Sequence, residues 1–142
     1  MMYNELVEDC FFLPRHVGIL DLQAPLTVHF VSIQKNQSIT RIDLYVQCAE
    51  NALIRKACFK ATGNPYVIAA LEWLCRQIEG KKLDCLEWRS DQKNNPQDKQ
   101  LYQILVKELE IPQNQYPIAL QVEDVYKEVF TLMKKKFEGY KS

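Results

Sequence analysis

The hydrophobic pattern of this chain changes period once, and that change restricts the folds open to it. Ile42, Leu44, Val46 and Cys48 alternate with Arg41, Asp43, Tyr45 and Gln47, the mark of a strand with one buried face. The stretch before it, Leu26 to Ile33, is rich in β-branched residues. The stretch after it, Leu53 to Lys60, sets Ala57 and Phe59 on one side. Polar turns at Lys35-Asn36-Gln37-Ser38 and around Glu50-Asn51 are too short for a crossover, so the three strands form an antiparallel meander.

On either side of this block the period is helical. Leu6, Val7, Cys10 and Phe11 mark a first helix that Pro14 stops, and Pro14-Arg15-His16-Val17-Gly18 reads as a turn. Asn64 is a good N-cap, Pro65 suits the first helical position, and Gly80 sits where a C-terminal cap belongs. Between them Val67, Ile68, Leu71, Leu74, Cys75 and Ile78 make an apolar stripe. A short helix is expected from Leu83 to Trp88 and an exposed loop from Ser90 to Gln97. Leu101 to Leu109 is a further helix that ends before Pro112. Val122, Val125, Tyr126, Val129, Phe130, Met133 and Phe137 stripe a long C-terminal helix. The expectation is an α+β fold: one domain over residues 1–142, a three-stranded antiparallel sheet with helices packed on one face.

Composition narrows the function. Lys+Arg and Asp+Glu are 18 each, so the chain offers no net field for phosphates and a nucleic-acid partner is not expected. Lys134-Lys135-Lys136 reads as a solvated helix end, where cations are favoured. No apolar run is long enough to span a bilayer, and the N-terminus lacks a basic-then-apolar secretion pattern. A cytoplasmic protein without a membrane partner is expected. The cysteines Cys10, Cys48, Cys58, Cys75 and Cys85 are odd in number and contain no C-x-x-C, so neither a disulfide framework nor a zinc ribbon is indicated. They read as packed thiols, and His16 and His29 as structural residues. No Gly-rich phosphate loop or nucleophile elbow is present. Glu123-Asp124 is explained by a helix dipole, and an enzyme is not expected. Trp73 or Trp88, if partly exposed, would point to a protein contact.

Several segments, taken in order, resemble the NifU/IscU-type iron–sulfur cluster scaffold family. Tyr3-Asn4-Glu5-Leu6-Val7 and Pro14-Arg15-His16-Val17-Gly18 resemble its opening, "Y-x-E-x-V…N-P-R-N-V-G". Ile54-Arg55-Lys56-Ala57-Cys58-Phe59-Lys60 resembles "I-x-D-A-R-F-K", and Gly80-Lys81-Lys82-Leu83-Asp84 resembles "G-K-S-L-D". Leu109-Glu110-Ile111-Pro112 is similar to "L-E-L-P", and Val122-Glu123-Asp124-Val125 to "A-E-D-A" at the start of the last helix. The resemblance implies a SufE/NifU-like sandwich, in agreement with the periodicity.

It also implies a cluster site at one end of the molecule, where three cysteines and often a histidine hold a [2Fe-2S] cluster. In this sequence the "A-C-G-D" turn falls on Gln37-Ser38-Ile39-Thr40, so Ser38 stands for the first thiol and Thr40 for the tuning aspartate. "Y-G-C-G-S" falls on Thr62-Gly63-Asn64-Pro65-Tyr66, with Asn64 at the second ligand. Pro117 and Ile118 stand at the histidine and third cysteine, and the "L-P-P-V-K" element that recruits a chaperone is broken after Pro112. Ser38, Asn64, Pro117 and Ile118 are therefore expected to converge on one patch that holds no cluster or other metal. The resemblance implies docking on a cysteine desulfurase through the first helix and the ligand-bearing end. Three readings follow. One is an accessory or regulatory binder of cluster assembly without a cofactor. The others are a repurposed interaction domain, and a true scaffold using ligands such as Cys58 or Cys75.

Overall fold

A computed structural model of the protein describes residues 3–35, 39–83 and 100–141. Helix α1 (Glu5–Phe12) leads through an irregular stretch to strands β1 (Thr27–Lys35), β2 (Ile39–Cys48) and β3 (Ile54–Thr62). Helix α2 (Pro65–Ile78) follows directly, then α3 (Leu101–Leu109), a 3-10 turn at Gln113–Gln115, and α4 (Tyr116–Lys141). The sheet order is β1-β2-β3 and both pairings are antiparallel, so the fold is α+β as the periodicity requires. The expected short helix from Leu83 to Trp88 lies almost wholly outside the described residues, as do Cys85 and the 90–97 loop.

The period-two pattern works as read. Ile42, Leu44, Val46 and Cys48 are buried, together with Val28 on β1 and Ala57 and Phe59 on β3. Helices α2 and α4 cover this face, while α1 packs on α2 and α3 on α4. Phe59, Ile42, Leu44, Leu71, Leu74 and Met133 are fully buried, each contributing about 1.5–3 kcal/mol of burial. The opposite face keeps Val31, Ile33 and Ile39 exposed.

Helix α4 begins at Tyr116, earlier than the stripe from Val122 suggests. Pro117 is tolerated because a first-turn N–H has no partner in the helix anyway. Glu123 consequently sits inside α4 instead of at its start. Its carboxylate accepts the Tyr102 N–H in the first turn of α3 at 2.9 Å, so it caps the neighbouring helix. Gly80 follows the α2 cap residue Glu79 with φ +86, a left-handed position where glycine carries no Cβ penalty.

Candidate functional site

The residues that the resemblance singles out lie on three separate elements. Thr40 is the second residue of β2, half-buried, opposite Gln34 of β1. Gly63 and Asn64 form the turn from β3 into α2, and the 3-10 turn Gln113–Gln115 leads into α4. Ser38 lies outside the described residues.

Short contacts join these elements. A Cβ placed on Gly63 would lie 3.5 Å from the Thr40 methyl. The Thr40 carbonyl accepts from Nε2 of Gln121 on α4 at 3.4 Å, and the same Nε2 donates to Ser32 Oγ on β1 at 3.1 Å. Asn64 Oδ1 accepts the backbone N–H groups of Tyr66 and Val67 at 2.9 and 3.4 Å, as an N-cap does. Its Nδ2 donates to Gln115 Oε1 at 2.7 Å. Thr40, Asn64 and the segment entering α4 thus meet at one end of the sheet. Within that segment Pro117 is exposed, whereas Ile118 is 8% exposed and belongs to the core.

The Asn64 side chain is committed on both its atoms, which gives a direct prediction. Asn64→Ala removes the cap of α2 and the tie to Gln115. It is expected to destabilise the fold by about 1–2 kcal/mol in chemical denaturation, with the secondary structure unchanged.

A second constellation was not legible in the apolar pattern. Glu72 lies within the α2 stripe and is fully buried. Its Oε1 accepts the backbone N–H groups of Arg15 and His16 at 2.9 and 3.0 Å. Its Oε2 accepts from His16 Nδ1 and from Arg76 Nε, both at 2.7 Å. Burial pushes the Glu72 carboxyl up, but the Arg76 and His16 bonds outweigh it and hold it below its ordinary value of 4.5. Arg76 also pairs with Asp9 on α1 at 2.5 Å and donates to the Leu13 carbonyl. The one sequence hint is the four-residue step from Glu72 to Arg76, which looks like an ordinary surface pair.

This network pins residues 15–18 along the outer edge of β3. Phe59 N–H donates to the His16 carbonyl and Gly18 N–H to the Phe59 carbonyl, both at 2.9 Å. Glu79 Oε2 takes the Ala57 N–H at 3.0 Å. A cavity of about 730 Å³ opens beside it, with Arg15, His16, Arg55, Cys58, Arg76 and Glu79 among its lining. His16 is therefore structural, as expected. His29 lies on the open sheet face, 2.8 Å from Asp43 Oδ1 and stacked on Tyr45.

A family model of the NifU-like N terminal domain matches residues 2–93. The chain belongs to that family. The match spans α1, the whole sheet and α2, the elements that carry the Gly63–Asn64 turn and the Pro14–Gly18 segment. A search of curated proteins returns no match. The NifU-like family is one of iron–sulfur cluster assembly, and its members are associated with cluster binding. Among the described residues, no group of three His, Cys, Asp or Glu side chains stands close enough to hold a metal ion. Among them, too, no helix is long and apolar enough to cross a membrane.

Proposed function

We propose that this NifU-like chain has lost its cluster ligands and acts as a non-catalytic accessory or regulatory binder of the assembly machinery, with a cysteine desulfurase as its partner. The observation that carries this reading is the state of Asn64. At the position of the second ligand, the side chain caps α2 and ties down Gln115, leaving no atom for a metal. Pro117 and Ile118 have no donor atoms, and Ser38 and Thr40 offer only hydroxyls. Iron–sulfur clusters need soft thiolates, so this donor set does not fit one.

Among the described residues, the thiols do not favour the alternative of a scaffold with substitute ligands: Cys10, Cys48 and Cys75 are buried and Cys58 is half-buried. Burial pushes Cys10 up to about 11 and Cys48 up to about 12, and raises Cys58 and the fully buried Cys75 as well. A thiol that resists ionisation is a poor ligand. What the chain does keep is a contact surface. Phe12, Leu13, Val17 and Ile19, at the end of α1 and just after it, are each more than half exposed. Exposed apolar residues close together are a feature of protein-binding surfaces. Phe12 ends α1, the helix through which the resemblance implies desulfurase docking, and this favours a role in assembly over a repurposed domain.

The test is binding of the purified chain to a cysteine desulfurase from the same organism, measured by interferometry. A complex weakened by Phe12→Ser plus Leu13→Ser is expected. No binding to the desulfurase, with another protein recovered by affinity purification, would sink this reading in favour of a repurposed domain.

A further inference from the structure

The two edges of the sheet are treated differently. In an antiparallel ladder a residue's N–H and C=O point to the same side, and successive residues alternate. The Leu26 carbonyl accepts from Cys48 N–H at 2.9 Å, which sets the parity of β1. Val28, Phe30, Ser32 and Gln34 therefore bond to Val46, Leu44, Ile42 and Thr40 of β2. Thr27, His29, Val31, Ile33 and Lys35 turn their N–H and C=O groups outward. On β3 the same parity turns Ala57 and Phe59 outward, and both are capped by Glu79, His16 and Gly18. Among the described residues, nothing bonds to the outward groups of β1.

An uncovered edge strand is normally blunted by proline, a bulge or inward charge. Thr27–Lys35 has none of these: its register with β2 is unbroken, and its one Lys, Arg, Asp or Glu is the terminal Lys35. The side chains beside the outward groups include Val31 and Ile33, 38% and 53% exposed. The backbone valence calls for an extended strand as the occupant.

We infer that the occupant is β1 of a second copy, paired antiparallel about Val31 to give a continuous six-stranded sheet. That register uses the whole strand. It sets Val31 against Val31 of the other copy, Ile33 against His29 and Lys35 against Thr27. β-Branched residues then face each other at the centre of the seam, a favourable cross-strand pairing. The two Lys35 ammonium groups lie at opposite ends, whereas a parallel pairing would stack them. A chain with 18 cations and 18 anions adds no net repulsion between copies.

The experiment is sedimentation equilibrium of the full chain over a wide concentration range, with amide exchange on the same samples. The expected result is a monomer–dimer equilibrium in which the amides of His29, Val31 and Ile33 gain protection as the dimer fills. Val31→Pro removes an outward N–H without touching the β2 ladder, as edge strands tolerate. Val31→Lys brings two like charges together across the seam. Each is expected to raise the dimer dissociation constant by roughly tenfold or more, while circular dichroism shows an unchanged fold. A chain that stays monomeric throughout overturns the inference. So does a dimer indifferent to both substitutions, or protection of the β1 amides only by a foreign protein.

Discussion

Glu72→Ala is expected to destabilise the protein by about 3–5 kcal/mol, the range for removing one partner of a buried ion pair. That is a large share of the roughly 5–15 kcal/mol available to a native domain. For a chain of this length it corresponds to a melting temperature lower by roughly 10 °C or more. The reason is the number of groups that one carboxylate satisfies. Two backbone N–H groups, the His16 ring and the Arg76 guanidinium all converge on Glu72, and the side chain is fully buried. Alanine leaves these donors without an acceptor at a site that water does not reach freely. Glu72→Gln keeps the size and one carbonyl oxygen, so it is expected to cost less, about 1–3 kcal/mol. Thermal and urea unfolding of the two variants separates loss of charge from loss of the acceptor.

The same carboxylate gives the fold a pH dependence with a definite sign. Glu72 and Asp43 both have pKa values held below their ordinary 4.5 and 3.8. For Asp43 burial again pushes upward, and the bonds from Arg41 and His29 overcome it. A group whose folded pKa is depressed binds fewer protons when folded than when unfolded. Its stabilisation is complete above the ordinary value and is lost as pH falls through the lower folded one. Acid therefore acts on the same tether as Glu72→Ala. Loss of that tether also frees residues 15–18 from β3, whose outward Phe59 N–H and C=O groups would then be open to other strands.

The sheet was legible in the sequence because one-sided burial imposes alternation, and β2 shows it over its full length. The Asn64 cap and Pro65 start of α2 were legible because their chemistry is local to four residues. Two things were not. The start of α4 was missed because Pro117 interrupts a helical reading of Tyr116 to Gln121, although in a first turn its missing N–H costs no bond. The Glu72 network was missed because its partners Arg15 and His16 lie more than fifty residues away. A buried acid shows no periodic signature, and tertiary partners alone account for its burial. Of the candidate site, the motifs pointed to Thr40, Asn64 and Pro117, and the fold brings Thr40 and the Gly63–Asn64 turn close together. The hydrogen bond from Asn64 to Gln115 needed the folded chain.

That hydrogen bond leads to the second large effect. Iron and sulfide supplied under anaerobic conditions are expected to leave the chain without the visible charge-transfer absorption of a cluster. The difference from a ligand-bearing scaffold is one of presence against absence. Thiolate ligation tolerates few substitutes, and on the proposed reading Asn64, Ser38, Thr40, Pro117 and Ile118 offer an amide, hydroxyls and two side chains without donors. Asn64→Ala serves as the control on mechanism. It opens the Asn64–Gln115 tie without adding a thiol, so it too is expected to stay colourless while losing stability. Stoichiometric absorption in the wild-type chain would return Cys58 or Cys75 to consideration as ligands. Absorption that disappears with Cys58→Ser alone would assign the site to the cavity beside β3, away from the end where Thr40 and Asn64 meet.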